Sequence, residues 1–314
     1  MGKLALIFAG QGSQYLGMGL DYIEKFPLFK GKEILATHAL GYDVRAVLEG
    51  KLGDIHETEY TQPLMLFSSI LAYEAFKTIG VEPSAVLGFS LGEYTALYAA
   101  EILSFETMMR LIQVRARLMK EATIKHPGKM AAILGLDKTI VEDICKEASS
   151  VGLVVPANYN SPVQVVISGE TAAVQKAIEL AKSKGAKRAI ELNVSGAFHS
   201  PLMASAGQGL ETYLKTLSFH QPKLPIYMNT TAKPLIISNL QAEMIKQIQS
   251  PVYFEQSIHE MVKDGFTHFI EIGPGTVLSG LIKKINISLE VNHLDQSSEL
   301  EALKGWMKEH GFIQ

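Results

Sequence analysis

Apolar residues run unbroken from Leu4 to Phe8, and again through Ala85, Val86 and Leu87. Short apolar runs closed by glycine predict strands buried on both faces. The apolar positions from Gln62 to Ile79 fall at helical spacing instead, and a further helix is predicted from Glu93 to Leu103. Strands alternating with helices predict an α/β fold with a mostly parallel sheet covered on both sides. The middle of the chain departs from that order. Met130–Leu136 reads as a strand, Lys138–Ser149 as a helix, Leu153–Asn158 and Gln164–Ser168 as strands, Ala172–Lys184 as a helix and Arg188–Leu192 as a strand. This β-α-β-β-α-β succession is the ferredoxin-like unit. It is expected as a small domain, residues 126–193, inserted into a larger one formed by 1–125 and 194–314. Beyond it, helices at Leu202–Leu217 and Gln241–Ile248 flank a short strand, Pro225–Met228. Phe269–Ile272 is the last core strand, entering the turn Gly273-Pro274-Gly275 and a helix from Val277.

Composition narrows the setting. A chain of 314 residues can bury one large core or two smaller ones, and a formal net charge of -3 offers no basic field for nucleic acid. The single Cys145 excludes an internal disulfide framework and fits a reducing compartment. No apolar run approaches membrane-spanning length, and the run into Gly10 is too short for a secretory signal. Leu6 stands where a myristoylation signal requires Ser or Thr. A cytoplasmic protein is expected, a monomer with neither membrane nor nucleic acid as partner. No His, Cys, Asp and Glu cluster has metal-ligand spacing, so no metal or other cofactor is expected.

The candidate chemistry begins at Gly88-Phe89-Ser90-Leu91-Gly92, a G-x-S-x-G between a predicted strand and a predicted helix. That is the pattern of a nucleophile elbow, in which a tight turn lifts the serine hydroxyl clear of the backbone. A competing reading makes Ser90 and Glu93, three residues apart, a capping box that starts the helix. A nucleophilic serine needs a base. Among nine histidines, His199 has the best setting: it precedes Ser200, a predicted N-cap, and Pro201, and lies on the expected domain boundary. The competing reading is a packed loop histidine bonded to backbone, the commoner role of a lone histidine. Arg115 supplies an independent clue. Projected at about 100° per residue, Met108, Leu111, Ile112, Leu118, Met119 and Ala122 share one helix face, with Arg115 in its middle. A buried guanidinium is expected to meet a carboxylate, internal or on a ligand. An elbow of this kind takes one oxyanion-hole N–H from the residue after the nucleophile, here Leu91, and one from another loop, for which Gly10-Gln11-Gly12 is a candidate.

Seven ordered stretches, spanning nearly the whole chain, resemble the malonyl-CoA:acyl-carrier-protein transacylases. They are Phe8–Gln14, Gly88–Glu93, Gln113–Met119, Gly128–Ala132, Asn158–Pro162, Ala197–Ser200 and Glu271–Gly275. The resemblance implies an α/β-hydrolase-like large domain with a ferredoxin-like insertion. It implies malonyl-CoA as donor and the phosphopantetheine thiol of acyl carrier protein as acceptor, in fatty acid synthesis, through a malonyl ester on Ser90 with His199 as base. By the same resemblance Gln11 and Leu91 hold the oxyanion, and Arg115 binds the malonyl carboxylate. Phe198, Met119, Asn158 and Asn160 are assigned to the substrate pocket, and Gln247 orients His199 through its backbone carbonyl. Phe89 departs from the family pattern, where histidine is common. Lys187-Arg188 and Lys283-Lys284 are candidates for a basic rim facing an acidic carrier. Two other readings remain open: a hydrolase using the same serine and histidine, and a non-catalytic binding module in which Ser90 only caps its helix.

Overall fold

The computed structural model describes residues 2–313. In chain order the elements are β1 (Lys3–Phe8), α1 (Leu20–Lys25), α2 (Phe29–Leu40), α3 (Val44–Leu48), α4 (Thr58–Lys77), β2 (Ala85–Gly88), α5 (Gly92–Ala99) and α6 (Phe105–Lys125). Then follow β3 (Lys129–Leu134), α7 (Lys138–Ala148), β4 (Val154–Ser161), β5 (Gln164–Gly169), α8 (Thr171–Ser183) and β6 (Arg188–Glu191). The last third holds α9 (Ala204–Leu214), β7 (Ile226–Tyr227), α10 (Leu240–Gln249), α11 (Phe254–Lys263), β8 (Phe266–Ile272), α12 (Val277–Ile285), β9 (Glu290–Leu294) and α13 (Leu300–Glu309).

Two sheets organise these elements. The larger has the order β7-β2-β1-β8-β9 and every pairing in it is parallel. Its central strand shows why the apolar run near the N-terminus is unbroken. Leu4, Leu6 and Phe8 enter one core with residues of α4, α5 and α6, while Ala5 and Ile7 enter another with Phe254, Ile258, Leu278 and Leu281. Both faces are covered, so alternation disappears. The smaller sheet, order β4-β5-β3-β6, is antiparallel. One face of its strand β3, Ala131 and Ile133, packs under α7 and α8; the other, Met130 and Ala132, turns to the larger unit. Backbone hydrogen bonds join the two units directly: Val252 N–H donates to Ala157 O and Tyr159 N–H to Val252 O, both at 2.9 Å.

The predicted succession of elements is present, with shifted ends. The helix after the elbow stops at Ala99, not Leu103, because Glu101 adopts a left-handed φ of 60°. Helix α4 starts at Thr58, a turn before the predicted Gln62. The N-terminal helices α1–α3 and the elements α11, β9 and α13 were not among the expectations, although α11 and α13 bury apolar residues at helical spacing (Phe254, Ile258, Met261; Leu300, Leu303, Met307). No helix among the described residues is long and apolar enough to cross a membrane.

Candidate active site

The carboxyl ends of β1, β2 and β8 lie side by side, with Phe8 in register with both Gly88 and Ile272. The three glycine turns noted in the sequence therefore meet at one edge, where ligand crevices of parallel sheets form. The elbow is as tight as its motif implies. A Cβ on Gly88 would lie 1.9 Å from the carbonyl carbon of Gly92, and one on Gly92 would lie 2.1 Å from Phe8 O. Ser90 sits at φ 51° and His199 at φ 58°, both left-handed, a region non-glycine residues seldom occupy. Such strain persists only where the surroundings fix it.

Ser90 Oγ is 2.7 Å from His199 Nε2, and His199 Nδ1 is 2.8 Å from the carbonyl oxygen of Gln247. A carbonyl only accepts, so Nδ1 carries the proton and Nε2 presents a lone pair to the serine hydroxyl. His199 is buried, and burial, reinforced by the nearby Arg115 charge, lowers its pKa to about 4; the Gln247 and Ser250 carbonyls pull the other way. The imidazole is thus neutral at physiological pH. The capping-box reading fails here. Ser90 Oγ is committed to His199, the residue flanking α5 is Leu91, and no side chain caps that helix.

Glu93 is instead a buried brace. Its Oε2 accepts Asn229 N–H at 2.7 Å and its Oε1 accepts Gln247 Nε2 at 3.2 Å. Burial raises the Glu93 pKa to about 8, partly offset by the Asn229 amide and the Arg115 charge. Asn229 in turn clasps the elbow, accepting Ser90 N–H at 2.7 Å and donating Nδ2 to Gly88 O at 2.6 Å. The Gln247 side chain adds a bond from Nε2 to Ser90 O at 2.8 Å.

Arg115 lies on the apolar face of α6 as projected, only 1% exposed. Its partners are neutral. Nη1 donates to Gln62 Oε1 at 2.6 Å, Nη2 donates to Gln247 Oε1 at 3.1 Å, and the guanidinium carbon stands 5.1 Å from the centre of the Tyr94 ring. Nε has no partner. The expected carboxylate is therefore not supplied by a direct internal ion pair among the described residues.

A cavity of about 220 Å³ opens between the two sheets. Ser90, His199, Arg115, Gln11, Leu91, Phe198, Met119, Asn158 and Asn160 all line it; Gln247 stands behind its wall, bonded to three of them. Among the described residues no protein acceptor takes the backbone N–H of Gln11 or Leu91. Two donors facing a cavity beside a serine can stabilise an oxyanion. Asn160 Oδ1 is buried without a partner. Phe89 packs edge-on against Phe254, ring centres 5.5 Å apart, away from the Ser90–His199 bond, and also lines the cavity. Gln62, Glu93 and Asn229 were missed as site residues. Gln62 interrupts an otherwise apolar helical run, and Asn229 follows the end of β7, signals that alone do not reveal a partner.

A neighbouring cleft of about 270 Å³ is lined by Lys187, Arg188 and Lys284, and Gln164 borders both spaces. Lys283 is no part of this rim: its Nζ donates to Leu289 O at 2.5 Å. Among the described residues no three His, Cys, Asp or Glu side chains gather as a metal site.

Comparison with known proteins gives a consistent result. The acyl transferase domain family matches residues 5–308. The malonyl CoA-acyl carrier protein transacylase of Staphylococcus aureus strain COL is 42% identical over 318 residues, covering 98% of this chain and 99% of that protein. The protein of the same name from Bacillus subtilis strain 168 is 40% identical, covering 98% of each. The crystal structure of MCAT from Streptococcus pneumoniae superposes with a TM-score of 0.92 at 41% identity, covering 97% of this chain and all of that one.

Proposed function

The chain belongs to the malonyl-CoA:acyl-carrier-protein transacylases of the acyl transferase family, and on that premise we propose how its cavity moves a malonyl group from CoA to acyl carrier protein for fatty acid synthesis. Ser90 Oγ attacks the thioester carbonyl as His199 Nε2 takes its proton. The oxyanion accepts the N–H groups of Leu91 and Gln11. Collapse breaks the C–S bond, and the departing CoA sulfur recovers the proton from His199. A malonyl ester on Ser90 remains. In the second half the phosphopantetheine thiol gives its proton to His199 and attacks the ester, and Ser90 Oγ leaves with that proton. Serine and imidazole supply every proton transfer and the backbone amides hold the oxyanion, so the reaction as drawn calls on no metal or redox cofactor.

The observation that carries this reading is Arg115, buried beside the Ser90–His199 pair with no carboxylate bonded to it. A buried cation with only neutral partners favours an acyl group ending in a carboxylate, and a neutral acyl chain leaves it unpaired. Phe198 and Met119 bound the remaining space, and Asn158 and Asn160 offer amides to the entering pantetheine arm. We read the parallel sheet as an α/β-hydrolase-like domain, residues 1–125 and 194–314, with 126–193 a ferredoxin-like insertion roofing the cavity. The antiparallel order β4-β5-β3-β6 supports that division.

Intact-mass analysis after brief exposure to malonyl-CoA, acetyl-CoA and methylmalonyl-CoA tests the proposal. The native protein is expected to gain one malonyl group, with far less acetyl or methylmalonyl, and Ser90→Ala none. A labelled Ser90→Ala, or a native protein that stays unlabelled, overturns it.

A further inference from the structure

Gln62 reaches from the first turns of α4 to the guanidinium of Arg115, and it is itself buried at 1% exposure. We propose that Gln62 determines the charge of the acyl group that the cavity accepts, by holding Arg115 with an uncharged oxygen and leaving the cation's charge to the substrate. The inference rests on the malonyl-transfer reading above and assigns its selectivity to a residue outside the Ser90–His199–Gln247 chain.

The orientation of Gln62 is fixed from both ends. Its Oε1 accepts Arg115 Nη1 at 2.6 Å, and its Nε2 donates to Met119 Sδ at 3.4 Å. A flipped amide would face the guanidinium with its own N–H groups, donor against donor. Thioether sulfur is a weak acceptor, so the amide is held mainly by the cation. The second oxygen on Arg115, from Gln247, is also neutral, and so is the Tyr94 phenol, whose ring lies 5.1 Å from the guanidinium carbon. The guanidinium is thus positioned from several directions with no carboxylate bonded to it; buried Glu93 reaches it only through space, behind the Gln247 amide. A neutral prop leaves a vacancy for one negative charge, and a carboxylate at position 62 would fill it from within. Glutamate is nearly isosteric with glutamine, so the change alters charge at almost constant shape.

Gln62→Glu and Gln62→Met separate charge from support. Acylation of Ser90 by malonyl-CoA and by acetyl-CoA is followed by single-turnover mass analysis, giving KM and the acylation rate for each. In Gln62→Glu the ratio of malonyl to acetyl acylation efficiency is expected to drop roughly 100-fold, mostly through KM for malonyl-CoA. Gln62→Met removes the prop but adds no charge and should keep its preference for malonyl. A thermal-shift series with free malonate and acetate reads the same site without chemistry. Malonate is expected to raise Tm in the native protein and Gln62→Met, but not in Gln62→Glu. If Gln62→Glu retains the malonyl preference and the malonate shift, or if both variants lose them equally, Gln62 does not set the charge. A native protein that takes up no malonyl group sinks the malonyl reading itself, a distinct outcome.

Discussion

His199 is kept neutral by its burial, the protonation state that the base proposed for Ser90 must have. Burial and the Arg115 charge hold its pKa near 4, well below the ordinary 6.5 of an imidazole. The neutral form required for proton abstraction is therefore retained as pH falls, until about pH 4 is reached. Single-turnover acylation of Ser90 should be flat across neutral pH and lose half its rate only near pH 4, limited to conditions where the fold persists. Half-loss near the ordinary histidine value would mean that water reaches the ring. Part of the depression comes from the Arg115 charge. If Arg115 binds the malonyl carboxylate as proposed, that push is removed and His199 becomes a stronger base once malonyl-CoA is bound, whereas a neutral acyl group brings no such gain. The Arg115 position was legible from helical periodicity alone, because a cation amid apolar residues stands out in one dimension. Gln62 was not, since a glutamine is at home on any helix and only the 53-residue reach to Arg115 gives it meaning.

At the scale of elements, the elbow depends on how closely α5 and β1 approach. Gly92 touches β1 so tightly that an alanine methyl would lie 2.1 Å from Phe8 O and 2.7 Å from its carbonyl carbon. Neither is the free end of a side chain, so β1 or the elbow must move. Gly92→Ala is expected to cost about 1–3 kcal/mol or more of stability and to break the Ser90–His199 alignment. A shift of the urea midpoint to lower concentration, with loss of Ser90 labelling, is the expected outcome; an unmoved midpoint contradicts it. The β2–elbow–α5 unit was readable because its residues are neighbours in the chain. The brace around it was not: Asn229 lies 139 residues from Ser90 and 136 from Glu93. Glu93 was open to being read as a capping partner of Ser90 because local spacing is the only geometry a sequence displays. In the folded chain its carboxylate turns inward to Asn229 and Gln247.

For the molecule as a whole, the two sheets enclose the cavity and place a basic cleft beside its mouth. Lys187 and Arg188 lie in the small sheet's last strand and its approach, and Lys284 comes from α12 of the other unit. Their convergence follows from tertiary folding, although each pair was visible in the sequence; only the fold shows that Lys283 is turned aside. If an acidic carrier docks there, Lys187→Glu with Arg188→Glu should slow malonyl transfer to carrier about 10-fold at low ionic strength, an effect that fades as salt is added. Measuring the two half-reactions separately isolates the carrier step. Equal loss in both, or no salt dependence, would argue against docking at this cleft.

If Ser90 is the nucleophile proposed, its left-handed backbone limits which nucleophiles this fold can evolve. Serine and cysteine have a single heavy atom beyond Cβ and can tolerate φ 51°, whereas a β-branched side chain at such an angle is a steric outlier. Exchange of the hydroxyl for a thiol is therefore open to the lineage by substitution alone. Threonine, the nearer chemical relative, is closed to it unless the turn itself is rebuilt.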